Sequence, residues 1–267
     1  MVLTAKRDKA ISKELLAIEK QEKKLEQSAL KARPAAWKTV LESKIPAKVY
    51  TGLESAFCKG FSVVFSQGRA IIEKSYKKEE IKADHAIRDY AVQLKGGRKE
   101  LRQMHKSAKQ SDAFNLVLTT AEGIGLGALG VGMPDIVLFL STLLKGIYET
   151  ALNYGFGYES RREQMLILKM MATALSTGEE WCALNSQVDG MLGGEESVIT
   201  EASFRAQIKN TASVFAVDML LLKFIQGLPL VGIIGGAANP VYYRKVMRYV
   251  QLKYRKRYLY KLLSEIQ

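Results

Sequence analysis

Apolar residues recur along this chain at three- and four-residue steps, and the recurrence reads as helix after helix. Between Thr4 and Ala32 the seam is thin: Ile11, Leu15, Ile18, Leu25 and Ala29, with Glu22 filling one seam position. That pattern predicts a charged, loosely held surface helix, which Arg33 and Pro34 end because proline disfavours helix at the residue before it. Pro46 opens a second helix with a broad stripe of Val49, Leu53, Phe57, Phe61, Val64 and Phe65. From Tyr76 to Lys109 the chain is highly charged. Ile87, Ala91 and Leu94 mark its helix face, and Gly96 and Gly97 read as a turn or C-cap.

Ser160 and Glu163 form a capping box ahead of MLILKMMATAL, with Gly178 as the stop. After a polar loop from Gly190 to Ser197, a further helix runs from about Ser203 to Lys223. It sets Phe204, Ile208, Ala212, Phe215, Met219 and Leu222 on one side. Alternating strand patterns are nearly absent, so the expected fold is all-α: residues 1–32 as a charged helical arm, then residues 33–267 as a single multi-helix domain.

Two glycine-rich apolar segments punctuate this domain. In the first, Gly123 and Gly127 stand four apart and Pro134 then starts a helix that Gly155 is placed to end. That helix sets Ile136, Leu140, Leu143, Ile147 and Ala151 on one face and Asp135, Thr142, Lys145, Glu149 and Asn153 on the other, which predicts a helix lying along a surface. The second segment, FIQGLPLVGIIGGAAN, repeats the device with Gly232 and Gly236 before Pro240. Both pairs are candidates for close helix packing.

Charge sharpens the picture. The net charge is +13, and it divides unevenly: +12 over residues 1–110, −6 over 111–240 and +7 over 241–267. A basic surface attracts polyanions at long range, whether anionic lipid or nucleic acid. The last helix interleaves Tyr242, Tyr243, Tyr249, Tyr254, Tyr258 and Tyr260 with Arg244, Lys245, Arg248, Lys253, Arg255, Lys256, Arg257 and Lys261. Aromatics and cations together suit single-stranded nucleic acid, but no nucleic-acid motif accompanies them, so nucleic acid ranks last as a partner. Cys58 and Cys182 are too few for a disulfide framework and read as reduced thiols, which points to a cytoplasmic address.

Catalytic chemistry is weakly signalled. Gly125, Gly127 and Gly130 spell GxGxxG, but the flanks are helical and Pro134 follows four residues later, whereas a dinucleotide site needs a strand before the glycines. His85 and His105 have no Cys or His at metal spacing and read as solvated surface imidazoles, so neither cofactor nor metal is expected. Glu122 and Asp135 are carboxylates embedded in apolar sequence, the only candidates for a hydrolase-like site.

Taken as a set, Pro46–Tyr76, Gly132–Gly155 and Gln226–Leu259 resemble the three blocks of the EcsC protein family, over most of residues 35–262 with the N-terminal arm outside. The resemblance implies a hydrophobic protein of uncharacterised biochemistry. Bacterial EcsC is encoded beside an ABC transporter whose loss affects secretion and competence. It supplies no catalytic residues to carry over.

The leading expectation is therefore a non-enzymatic helical protein at the inner face of the membrane, acting through anionic lipid or a membrane-protein partner such as an ABC transporter. The expected contacts are the apolar residues Phe224, Ile225, Leu228, Leu230, Ile233 and Ile234, too short a run to span a bilayer, followed by Arg255, Lys256 and Arg257.

Overall fold

The computed structural model describes residues 2–31, 45–118, 134–194, 198–225 and 240–265. Among these the fold is all-α. In chain order come α1 (Val2–Lys31), α2 (Ala47–Val63, continued by a π-helical turn Val64–Gly68 and by Arg69–Glu73), α3 (Lys78–Lys95) and α4 (Arg98–Leu118). Then follow α5 (Pro134–Asn153), α6 (Arg161–Leu175), α7 (Gly178–Leu192), α8 (Glu201–Ile225) and α9 (Pro240–Ser264).

Local rules set most of the boundaries. Pro46 precedes α2, and Pro134 and Pro240 each occupy the first position of a helix, where a missing N–H breaks no bond. Gly96 closes α3 in the left-handed region at φ 56°, and its N–H bonds Val92 O. Ser160 accepts a hydrogen bond from the Glu163 N–H at 3.1 Å and so caps α6. Gly178, at φ 65°, is the first residue of α7 rather than the stop of α6, which already ends at Leu175.

The core is built around α5 and α9. Ile136–Asn153 is long and apolar enough to cross a membrane by length and composition, yet 89% of it is buried inside the fold. This corrects the expectation of a surface helix. Not only the apolar face but also Ser141, Lys145, Glu149, Thr150 and Asn153 are buried. Helices α2, α3, α4 and α9 all pack on α5, leaving only Leu138 and Thr142 of its described side chains open to solvent. On α2, a Cβ added to Gly60 would lie 2.8 Å from Ile136 Cγ2, so the missing side chain is what lets α2 and α5 approach so closely. Phe57, Phe61 and Phe139 gather around Phe215 of α8 at centroid separations of 5.3–6.1 Å.

The N-terminal helix is not a loose arm. Ile11 and Ile18 are buried, and α1 packs on α4, α7 and α9. Its acids meet α4 and the last helix: Glu14 binds Arg255 of α9 and, on α4, Arg98 at 2.5 Å and Arg102 at 3.3 Å, while Glu22 accepts from Lys253 at 2.5 Å and Lys256 at 2.9 Å of α9. Burial pulls the Glu14 carboxyl upward, but the Arg98 hydrogen bond and the charges of Arg255, Arg98 and Arg102 outweigh it and hold the group below the usual carboxylate range.

Candidate functional site

Helix directions decide what the fold gathers at each end. Gly146 of α5 lies against Tyr243 and Met247, and Tyr154, just past its last turn, lies 6.0 Å from Tyr258, so α5 and α9 run parallel. Helix α8 runs antiparallel to α2, with Phe204 against Phe65 at 6.0 Å and Phe215 against Phe57 at 5.3 Å. Near its C-terminal end, Asp218 meets the start of α9: Tyr242 donates to Asp218 O at 3.1 Å, and Lys245 Nζ is 3.5 Å from its carboxylate. Helix α4 meets the end of α5 through His105, whose ring bonds Tyr154 Oη at 2.9 Å, and from there packs back along α5.

Leu118, Pro134, Ile225 and Pro240 therefore point toward one end of the bundle. These four residues flank residues 119–133 and 226–239, the two glycine-rich apolar segments. The described surface beside them is cationic and partly apolar. Arg244 and Arg248 are exposed on α9, Lys48 is exposed on the first turn of α2, and Leu138 and Val241 are 36% and 48% exposed.

The sequence-predicted residues fall out differently. Glu122, Gly123, Gly127, Leu228, Leu230, Gly232, Ile233, Ile234 and Gly236 lie outside the described residues, as do the side chains of Asp135, Phe224 and Ile225. Arg255, Lys256 and Arg257 do not form an open cationic patch. Arg255 is 7% exposed against Glu14. Lys256 binds Glu22 and, at 3.0 Å, Asp189, and Arg257 binds both carboxylate oxygens of Glu163 at 2.8 Å. Tyr242, Tyr243, Tyr249, Tyr254 and Tyr258 are buried as well, so the expected stacking platform on this helix is core. Besides Lys261 at the far end of α9, the exposed cations of this helix are Arg244 and Arg248, which sequence reasoning passed over as contacts. They precede the run of buried cations and sit next to Pro240.

The two histidines are not solvated either. His85 Nδ1 lies 3.0 Å from Asn153 O, and burial pushes its pKa down against the pull of that hydrogen bond. Arg88 donates to the same residue's Oδ1 at 3.0 Å. His105 is held down to about 4, first by burial and then by the positive charges of Arg255 and Lys109, with Glu14 opposing. The folded chain thus binds this proton less readily than the unfolded chain, whose value is near 6.5. Stability is full above about pH 6.5 and is lost as pH falls toward about 4, by an amount on the order of 3 kcal/mol for this one group. Urea midpoints measured at intervals from pH 7.5 to 4.5 should fall across this window, and His105→Gln should flatten that part of the fall. An unchanged slope in the variant would remove His105 from the account.

The family model described as EcsC protein family matches residues 9–259. Its span takes in most of α1, which the resemblance read from sequence had left outside. No curated protein and no solved structure matches the chain.

Proposed function

The chain belongs to the EcsC protein family, and from that premise we propose that it works at a membrane face as a non-enzymatic docking protein, held by anionic lipid or by a membrane-protein partner. One observation carries this reading: the helix ends that flank both apolar glycine-rich segments point toward the same end of the bundle, beside exposed Arg244, Arg248 and Lys48. Each segment, at about fifteen residues, is shorter than the roughly 20 a spanning helix needs, so each fits an interfacial contact better than a crossing. Cations near an anionic leaflet contribute about 1 kcal/mol apiece, so a few of them beside apolar contacts give reversible, salt-sensitive attachment.

Flotation with liposomes tests this. Binding of the full chain is expected to rise with the anionic lipid fraction, to weaken with salt, and to fall about tenfold or more in Arg244→Glu/Arg248→Glu. Reversing Lys253 or Arg255 is a different experiment, because it breaks internal ion pairs and is expected to unfold the chain. A wild-type protein that stays soluble on strongly anionic liposomes at low salt would overturn direct lipid binding and leave the membrane-protein partner as the account of this end.

A further inference from the structure

Helix α3 has two faces and only one of them is used. Val92 and part-buried Ile81 face inward together with His85 and Arg88, both of which bind Asn153 at the end of α5. On the opposite side Ile87, Tyr90 and Leu94 are 69%, 67% and 56% exposed, with exposed Ala83 one turn before them. The sequence reading had placed Ile87 and Leu94 on the packed face; the structure turns them outward. Residues 83, 87, 90 and 94 follow helical spacing, so they form one continuous apolar stripe.

We propose that this stripe is a self-association surface, which pairs with α3 of a second copy of the chain in antiparallel, two-fold fashion. The charges along the helix select that occupant and that direction. By helical spacing Glu80 and Asp84 of the first half and Lys95 of the last turn share one flank of the stripe, whereas Lys78, bound to Glu73 and Glu159, and Lys82 lie off that flank. Among the described residues the acids' ion-pair partners are exposed or loose and lie on α3 or its N-cap: Lys82 for Glu79, Lys77 for Glu80, both at 2.9 Å, and Arg88 for Asp84 at 3.6 Å. An antiparallel pair centred between Arg88 and Asp89 sets Ile87 against Tyr90 of the second copy and Ala83 against its Leu94, large against small. The same register brings Lys95 of each copy beside Glu80 and Asp84 of the other, since like flanks face each other in antiparallel helix pairs. Parallel pairing would set acid against acid. A two-fold interface must be self-complementary, and this helix is. One helix pair buries less than a stable dimer interface of roughly 1,200–2,000 Å², so the association is weak and reversible.

The test is sedimentation velocity of the full chain over about 10–500 µM, the range a small interface calls for. A concentration-dependent dimer is expected, and Ile87→Glu/Leu94→Glu should shift its midpoint at least tenfold upward while leaving the melting temperature in place, because both side chains are already exposed. Glu80→Lys and Lys95→Glu should each weaken self-association, and an equimolar mixture of the two should restore much of it, because both contacts between positions 80 and 95 are then again between opposite charges, with Asp84 of one copy alone facing the reversed position 95 of the other. A monomer at all concentrations overturns the proposal, and so does a dimer indifferent to the stripe variant. If the chain is monomeric and the stripe variant instead loses binding to anionic vesicles, the stripe belongs to a lipid surface and the self-association reading is wrong. A mixture that fails to recover argues against the antiparallel register and overturns it.

Discussion

A chain that starts at Arg33 is expected to lose cooperative folding. Removing residues 1–32 uncovers the surface on which Ile11 and Ile18 are buried, at about 2 kcal/mol each. It also takes away the acids of a buried ionic network. Without Glu14, Arg255 keeps its buried position with no counter-charge beside it, and Arg98 and Arg102 lose the same partner. Without Glu22, Lys253, wholly inaccessible to solvent, and Lys256 are left to share Asp189. Breaking a buried pair from one side costs about 3–5 kcal/mol, because the remaining charge cannot regain its hydration. The total is on the order of 10 kcal/mol, comparable with the whole stability of an ordinary domain.

The truncated chain should therefore express as aggregate or as a species without a sharp urea transition. Glu14→Gln in the full chain isolates the ionic part, with an expected loss of about 3 kcal/mol. The sequence reading has a loosely held surface arm instead, and a soluble truncated chain with an unchanged urea midpoint would restore it.

Why the arm was misjudged shows what a sequence can and cannot display. Helix starts at Pro46, Pro134, Pro240 and Ser160, and the C-cap at Gly96, were all legible because each depends on residues within one turn. The partners of Glu14 and Glu22 were not, because Arg255 lies 241 positions away from the one and Lys253 lies 231 away from the other. One local signal was available: Glu22 stands in the apolar seam of α1, where a carboxylate persists only if something cationic meets it. The same blindness affected the last helix. Alternating tyrosines and cations look like a surface for polyanions, and only the packing of α1, α4, α5, α6 and α7 around α9 turns them inward.

The candidate site was misread in its charged part, and its apolar part lies outside the described residues. Both glycine-rich segments were singled out by their spacing and proline boundaries, but nothing along the chain says that they issue toward the same end. That follows from the parallel course of α5 and α9, a tertiary fact carried by contacts such as Gly146 against Tyr243. The choice of Arg255, Lys256 and Arg257 over Arg244 and Arg248 failed for a related reason. A run of three cations is conspicuous, whereas which cations remain on the surface depends on which acids the fold delivers.

Replacing Glu163 is expected to produce a large loss of stability. Its carboxylate is 4% exposed and is surrounded by its own donors: Tyr254 Oη at 2.7 Å and Arg257 Nη1 at 2.8 Å to each oxygen, the guanidinium lying 4.1 Å from the Phe156 ring centre. The same residue's N–H is capped by Ser160, so the side chain sits on a rigid first turn of α6 and joins it to α9. Glu163→Gln keeps an acceptor for Tyr254 and removes the charge that balances Arg257. Because Arg257 is 22% exposed and can turn partly to water, the loss should be moderate, about 2–3 kcal/mol. Glu163→Leu also strands the Tyr254 hydroxyl in a fully buried position, and about 4–5 kcal/mol is expected. Removing all the polar members together, as Glu163→Leu/Tyr254→Phe/Arg257→Met, should recover most of that loss, since an apolar core of similar volume has no desolvation to offset. Urea unfolding of the three variants separates the outcomes. Recovery in the triple variant would show that the buried pairs fix how α6 and α9 meet more than how firmly they are held; a triple variant as unstable as Glu163→Leu would show that the network itself supplies the stability.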